Sequence, residues 1–221
     1  RQAGPLFLLM SASLLAAVLM VWQGGQQSWT AAKLGLPGAF LLSCDGLARL
    51  MLLVTALVAF AVALMVWRRG ITYTYYALLS LCVAGLNGLV LVTDLFTMYV
   101  FIEIVSLAGF ALIASRREPS GLEAAFKYLL LSAMATVFLL IAIFLAYGVG
   151  NGVSFAELAL AVKAGTMKPV LLVALGFLAV GLSIKSGLVP FHPWVPDAYG
   201  SAPSPVSVLL AGVVTKAVGL Y

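Results

Sequence analysis

Charge is scarce in this chain. Of its 221 residues only 12 are Lys or Arg and 7 are Asp or Glu, while 64% are apolar. Mean hydropathy is +1.16. A soluble domain carries roughly a quarter charged residues, so a soluble domain is excluded and a polytopic all-α membrane protein remains. Histidine and cysteine are nearly missing too. One histidine, His192, makes no metal site, and Cys44 and Cys82 lie in or beside different apolar segments without metal-ligand spacing or a CxxC pair. They read as small core residues rather than a disulfide. No nucleotide-binding fingerprint and no Fe–S cysteine pattern occurs. Redox chemistry would have to come from partner chains. The net charge of +5 needs no nucleic acid, because the basic residues cluster at the ends of apolar segments, where topology signals stand.

What is abundant is long hydrophobic sequence. Seven spanning segments fit, at 5–22, 46–67, 75–93, 95–115, 121–147, 170–199 (broken) and 203–221 (incomplete). Pro5 suits a first helical position. Trp22, Trp67, Tyr73, Tyr75 and Tyr147 fall at segment ends, where amphipathic rings favour the interface. The chain opens on Arg1 directly before an apolar run and stops at Tyr221, with its last helix about 24 Å long against a core of about 30 Å. The expectation is an internal piece of a longer protein. Arg68, Arg69, Arg116 and Arg117 stand in the second and fourth loops. Lys33, Lys163 and Lys168 belong to the longer first and fifth ones. Short-loop arginine puts the second and fourth loops on the cytoplasmic side, and the sixth with them.

Two stretches match the capping box, Ser120 with Glu123 and Ser154 with Glu157. The second opens a short amphipathic run, with Phe155, Leu158, Ala159 and Val162 on one face, ending at Gly165. An interfacial helix over about 154–164 follows, lying in the interface or against a neighbouring subunit. Asp45 at the start of the second span, with Arg49 four residues on, and Asp94 between two spans read as helix-end residues. Asn87 suits interhelical hydrogen bonding.

The stretch from Lys185 to Lys216 departs from this pattern. It holds Pro190, Pro193, Pro196, Pro203 and Pro205 between apolar segments. Each proline removes an N–H and clashes with the preceding turn, so the helix must break, around 185–193. Broken backbone at membrane depth is tolerated where protein covers it or it lines a wet cavity. Beside buried charge, it is how ion-transporting proteins build a site.

Three charges lie deep within spans. Glu103 is about 12 Å into its helix, Lys185 about 22 Å along its own just before the break, and Lys216 about 17–20 Å into the last. Charge at that depth is costly and functional by default. A Glu–Lys pair there could exchange or bias protons, the alternative being a static pair or a carboxylate kept protonated by a hydrogen bond. For Lys185 and Lys216 the alternative is snorkelling to an interface. His192 can titrate near neutral pH and is either a relay or a hydrogen-bonding core residue. Lys127, four residues after Glu123, is explained by an i,i+4 pair, and could also tune a neighbouring carboxylate.

The residues Asp94-Leu-Phe-Thr-Met-Tyr-Val-Phe-Ile-Glu103, Phe126-Lys-Tyr-Leu-Leu-Leu131, Phe191-His-Pro-Trp-Val-Pro-Asp-Ala-Tyr199 and Ala202-Pro-Ser-Pro-Val206 resemble the proton-conducting antiporter-like membrane subunits. That family includes the pumping subunits of respiratory complex I, subunits of Mrp-type cation/proton antiporters, and membrane arms of energy-converting hydrogenases. The resemblance covers essentially the whole chain and implies helices two to eight of about fourteen, in one transmembrane domain over residues 1–221. It implies that Glu103 and Lys185 form a glutamate–lysine pair gating proton entry, with Lys216 the next station and His192 a relay near the break. Separating Glu103 from Lys185 would strip the lysine of its counter-charge and send its proton toward Lys216. Lysine at 216, with Ala133 and Thr136 in the preceding helix, is more similar to the D-type Mrp and matching complex I subunits than to the largest antiporter-like subunit.

The leading expectation is a proton-translocating subunit of a redox-driven respiratory complex, NADH-quinone oxidoreductase-like or hydrogenase-like. Cofactors such as FMN, Fe–S clusters, quinone or a Ni–Fe centre would be carried by partners and none by this chain. The alternative is an Mrp-type cation/proton antiporter subunit without redox partners, moving H⁺ or exchanging it for Na⁺. A structural anchor is disfavoured by the three mid-membrane charges, and a small-molecule carrier by the lack of a second polar pocket. Partners would be other membrane subunits and the bilayer. The location would be the plasma membrane of a prokaryote or an organellar energy-converting membrane.

Overall fold

A computed structural model describes residues 3–22, 27–30, 41–67, 70–148, 154–163 and 169–219. It is a helical bundle. The long helices are α1 (Ala3–Trp22), α2 (Gly46–Val66), α3 (Tyr73–Leu91), α4 (Leu95–Ile113) and α5 (Pro119–Gly148). They are followed by the short α6 (Phe155–Lys163) and by α7 (Pro169–Ser186), α8 (Trp194–Ser201) and α9 (Ser204–Gly219). Among the described residues five helices are long and apolar enough to cross a membrane, and the apolar runs Gly4–Met20 and Ser204–Gly219 are shorter. In lipid every backbone N–H and C=O must be paired within the segment, which is why apolar sequence of this kind becomes helix. The outward side chains are lipid-like, among them Leu9, Leu57, Phe144 and Leu172. The chain is an integral membrane protein.

The ends of the elements follow local chemistry. Asp45 caps α2 by accepting from Ala48 N at 2.7 Å, and Asp94 caps α4 by accepting from Thr97 N at 2.8 Å. Trp67, Tyr73, Tyr75 and Tyr147 all stand in or next to terminal turns. Three local expectations need correction. The helix α5 starts at Pro119, which fits a first helical position, so Ser120 lies inside the helix rather than capping it. Ser154, by contrast, does immediately precede α6. Pro5 is the third residue of α1, still in the turn whose N–H groups lack partners. In α6, Leu158 is buried and Phe155 half-buried, but Ala159 is exposed. Leu158 lines a small apolar pocket with Leu95, Ala146 and Leu171, so α6 lies near the ends of α4, α5 and α7. The Arg68, Arg69, Lys33, Lys168 and Gly165 assignments, and the side chains of Trp22 and Val162, lie outside the described residues.

The sequence reading missed a small antiparallel pairing between β1 (Gln27–Thr30) and β2 (Leu41–Cys44), with Gln27 opposite Cys44. Leu42 bridges to Val92, and Asp94 to Ser154, so β2, the α3–α4 turn and the start of α6 share one end of the bundle. At the other end, Thr72, Arg116, Arg117, Pro203 and Pro205 surround a cavity of about 600 Å³. The second, fourth and sixth connections therefore lie at the same end. Both cysteines are free and buried, and burial raises the Cys44 thiol.

Candidate functional site

The site sits where α4, α5 and α7 meet. Gly181 of α7 lies against α5: a Cβ there would come 2.9 Å from Leu139 and 3.1 Å from the Ala135 carbonyl. Only glycine lets the helices approach this closely. One turn later on the same face of α7 is Lys185. The helix then ends. Gly187 is left-handed at φ +71, Gly187 N donates to Ile184 O at 3.2 Å, and Leu188 N donates to Ser183 O at 2.9 Å. This is a Schellman termination, which glycine favours. It leaves Lys185 in the last turn of α7, where the helix dipole presents partial negative charge to a cation.

The prolines act in the gap. Residues 187–193 form turns, with Phe191 N donating to Leu188 O at 2.7 Å, before α8 restarts at Trp194. Trp194 locks the two halves together. Its Nε1 donates to the Ile184 carbonyl at 3.1 Å, and its ring stacks on Tyr128 of α5 at 4.6 Å.

Lys185 is 4% exposed, and its ammonium makes three hydrogen bonds. It donates to Glu103 Oε1 at 2.6 Å, Ser132 Oγ at 2.6 Å and Ser106 Oγ at 3.0 Å. An ammonium has three protons, so the tripod is full. Glu103 and Ser106 are three residues apart on α4, while Ser132 and Thr136 are four apart on α5, so each pair shares a face. Thr136 Oγ1 is 2.7 Å from Glu103 Oε1 and 2.9 Å from the Ser132 carbonyl. Its single proton can serve one of these acceptors at a time. A cavity of about 170 Å³, lined by Glu103, Ser106, Ser132 and Thr136 with apolar neighbours, opens beside the pair. That is space for several waters at about 30 Å³ each.

The other candidates stand apart from the tripod. Lys127 is exposed and bonds Glu123 at 2.8 Å and Asp197 of α8 at 2.7 Å. The i,i+4 pair is present, together with a tie from α5 to α8 that the sequence reading missed. Lys216 is exposed on α9, and its Nζ donates to Thr215 Oγ1 at 3.2 Å. No carboxylate lies within ion-pair distance of it among the described residues. Just before it, Leu210–Val214 forms a π-helical turn, a feature frequent at functional sites. His192 is exposed, and among the described residues only its backbone is seen bonded, accepting from Val195 N at 3.0 Å. The structure does not bring it onto Lys185. No group of three metal-ligating side chains occurs among the described residues.

Ser106, Ser132 and Thr136, which complete the site, carried no signal as ligands in the sequence. Serine and threonine are common in membrane helices, and only their i,i+3 and i,i+4 spacing from the charged residues hinted at a shared face.

Residues 92–221 match the family described as "NADH:quinone oxidoreductase/Mrp antiporter, TM". The chain is 41% identical over 143 residues to NADH-quinone oxidoreductase subunit N of Desulforudis audaxviator, covering 65% of this chain and 28% of the relative. It is 33% identical over 217 residues to subunit N of Rhodobacter capsulatus, covering 96% and 44%. Three solved structures share the fold. A chain of the Mrp complex from Dietzia aligns with a TM-score of 0.87 and 29% identity, over 99% of this chain and 42% of that one. A chain of the archaeal membrane-bound sulfane sulfur reductase gives 0.86 and 27%, over 97% and 46%. A chain of respiratory complex I from Thermus thermophilus gives 0.83 and 32%, over 99% and 47%. The chain thus spans less than half the length of each of these proteins.

Proposed function

The chain belongs to the NADH:quinone oxidoreductase/Mrp antiporter transmembrane family, and from that premise we propose that it is a proton-translocating membrane subunit of a redox-driven respiratory complex. Protons move along an axis of Glu103, Lys185 and Lys216. The observation carrying this reading is the Lys185 tripod: an ammonium 4% exposed, 2.6 Å from Glu103 Oε1, at the broken end of a helix. A buried ion pair held by hydroxyls is a poor stabiliser compared with apolar packing, so stability alone gives little reason for it. It is well suited to holding a proton until the pair separates.

In the proposed cycle, withdrawal of Glu103 leaves the ammonium with hydroxyl partners only. Its proton then leaves toward Lys216, and return of Glu103 favours reprotonation by way of the cavity between α4 and α5. Lys127 sets the position of α8 through Asp197, and His192 serves near the mouth of the break. Other membrane subunits bind this one, and FMN, Fe–S clusters, quinone or Ni–Fe centres belong to partner chains.

A second reading, an Mrp-type cation/proton antiporter subunit, is favoured by the TM-score of 0.87 to a chain of the Mrp complex. Affinity purification of the tagged full-length protein from its native membrane, with mass spectrometry of what accompanies it, separates the two. Flavin, Fe–S or nickel subunits support the redox pump. Small hydrophobic siblings alone overturn it in favour of the antiporter.

A further inference from the structure

Lys216 touches nothing ionic among the described residues, yet its amine is bonded to a side chain that leads inward. Thr215 Oγ1 is 3.2 Å from Lys216 Nζ and 3.0 Å from the Tyr199 hydroxyl. Thr215 is buried, whereas Lys216 is exposed. The π-helical turn concentrates acceptors at this point. The Leu210 carbonyl receives the Thr215 backbone N–H and lies 3.4 Å from both the Thr215 and Tyr199 hydroxyls. Each hydroxyl has one proton and two lone pairs. The two hydroxyls therefore have more acceptors within reach than protons to give, and the arrangements differ only in which way the O–H bonds point. That degeneracy is what a proton wire requires.

The helix that carries Tyr199 also packs against the Lys185 site. Tyr199 belongs to α8, whose first residue, Trp194, stacks on Tyr128, and the Tyr128 phenol lies beside Ser106. Ser106 is one foot of the Lys185 tripod. Each lysine thus ends on a buried hydroxyl with a tyrosine beyond it.

We infer that Tyr199 and Thr215 form the hydroxyl relay through which Lys216 receives its proton. The inference rests on the proposed Glu103–Lys185–Lys216 axis and assigns the residues of its second half. In the transfer, the Thr215 O–H bond breaks as the neutral Lys216 amine gains an N–H. Thr215 takes the Tyr199 proton, and Tyr199 is reprotonated from the Lys185 side. One ammonium proton is lost at Lys185 and one gained at Lys216, with no electrons moved.

The test uses the full-length protein in its assembled complex, in inverted membrane vesicles. Proton uptake is driven by NADH or, for an antiporter, by a sodium gradient. Tyr199→Phe and Thr215→Val each keep the volume and remove the hydroxyl. Both are expected to slow proton uptake about ten-fold or more, with complex assembly unchanged. Thr215→Ser, which restores the hydroxyl, is expected to restore uptake and its wild-type pH profile. Wild-type uptake in Tyr199→Phe and Thr215→Val, alongside loss in Lys216→Ala, overturns the relay while leaving the axis standing. Loss of assembled complex in step with uptake reduces the pair to a structural staple and also overturns it. Wild-type uptake in Lys216→Ala overturns the axis and the relay together.

Discussion

Glu103→Gln is the most telling single perturbation, because it removes one charge and keeps the shape. At an N–O separation of 2.6 Å, an effective dielectric constant near 20 gives about 6 kcal/mol of attraction. Part of that offsets the desolvation of both groups. Removing one member of a buried pair costs roughly 3–5 kcal/mol in practice. Ser106 and Ser132 remain as acceptors in the variant but carry no charge, so the ammonium alone bears this cost. That cost falls on the charged form of Lys185, the form that must hold the proton in the proposed cycle. Ser106 and Ser132 still bond the amine, and Gln keeps the shape of Glu103, so the complex is expected to assemble. The assay is dye-reported proton uptake in inverted vesicles carrying the full-length variant, normalised to electron transfer and to assembled complex on native gels. Assembly is expected at the wild-type level and proton uptake is expected to vanish, as it should in Lys185→Ala. Wild-type uptake in both variants, with assembly intact, would refute the reasoning.

Other substitutions probe the supports of the same pair. Ser132→Ala removes a 2.6 Å acceptor from the ammonium, a loss of about 1.5–3 kcal/mol for a bond to a charged group; proton uptake should fall while Ser132→Thr retains it. Gly187→Ala places a Cβ against Val195 at φ +71, costing about 1–2 kcal/mol for the left-handed backbone alone, which should appear as a lower melting temperature of the purified complex. Trp194→Phe takes the 3.1 Å donor from the Ile184 carbonyl, a loss of about 1 kcal/mol. It should loosen the break, read as faster hydrogen exchange over residues 184–195.

Much of this architecture is legible residue by residue. The break follows from the prolines at 190, 193 and 196, and α7 does stop at Ser186 and the chain does restart as helix at Trp194. Glu103, Lys185 and Lys216 stand out because charge in an apolar run is costly wherever it points. The capping box at Ser120 misled, since Pro119 is a better helix start than serine is a cap there. Asp197 passed unnoticed because an acid near a helix start has an ordinary explanation; its bond to Lys127 spans seventy positions.

The hydroxyls mark the boundary between the two kinds of knowledge. Ser106 donates to the Ile102 carbonyl and Thr136 reaches the Ser132 carbonyl, as Thr55 does to Met51 and Ser80 to Tyr76. A serine or threonine in an apolar helix satisfies itself on its own preceding turn, so no local cost distinguishes a ligand from a bystander. The sequence alone determined the membrane helices, the break and the charges deep within spans, because lipid forces backbone pairing and penalises each charge individually. Which hydroxyls close around Lys185, which acid meets Lys127, and which tyrosine meets Thr215 were decided by the approach of α4, α5, α7, α8 and α9. Those contacts depend on distances between helices far apart in the chain, and only packing sets them.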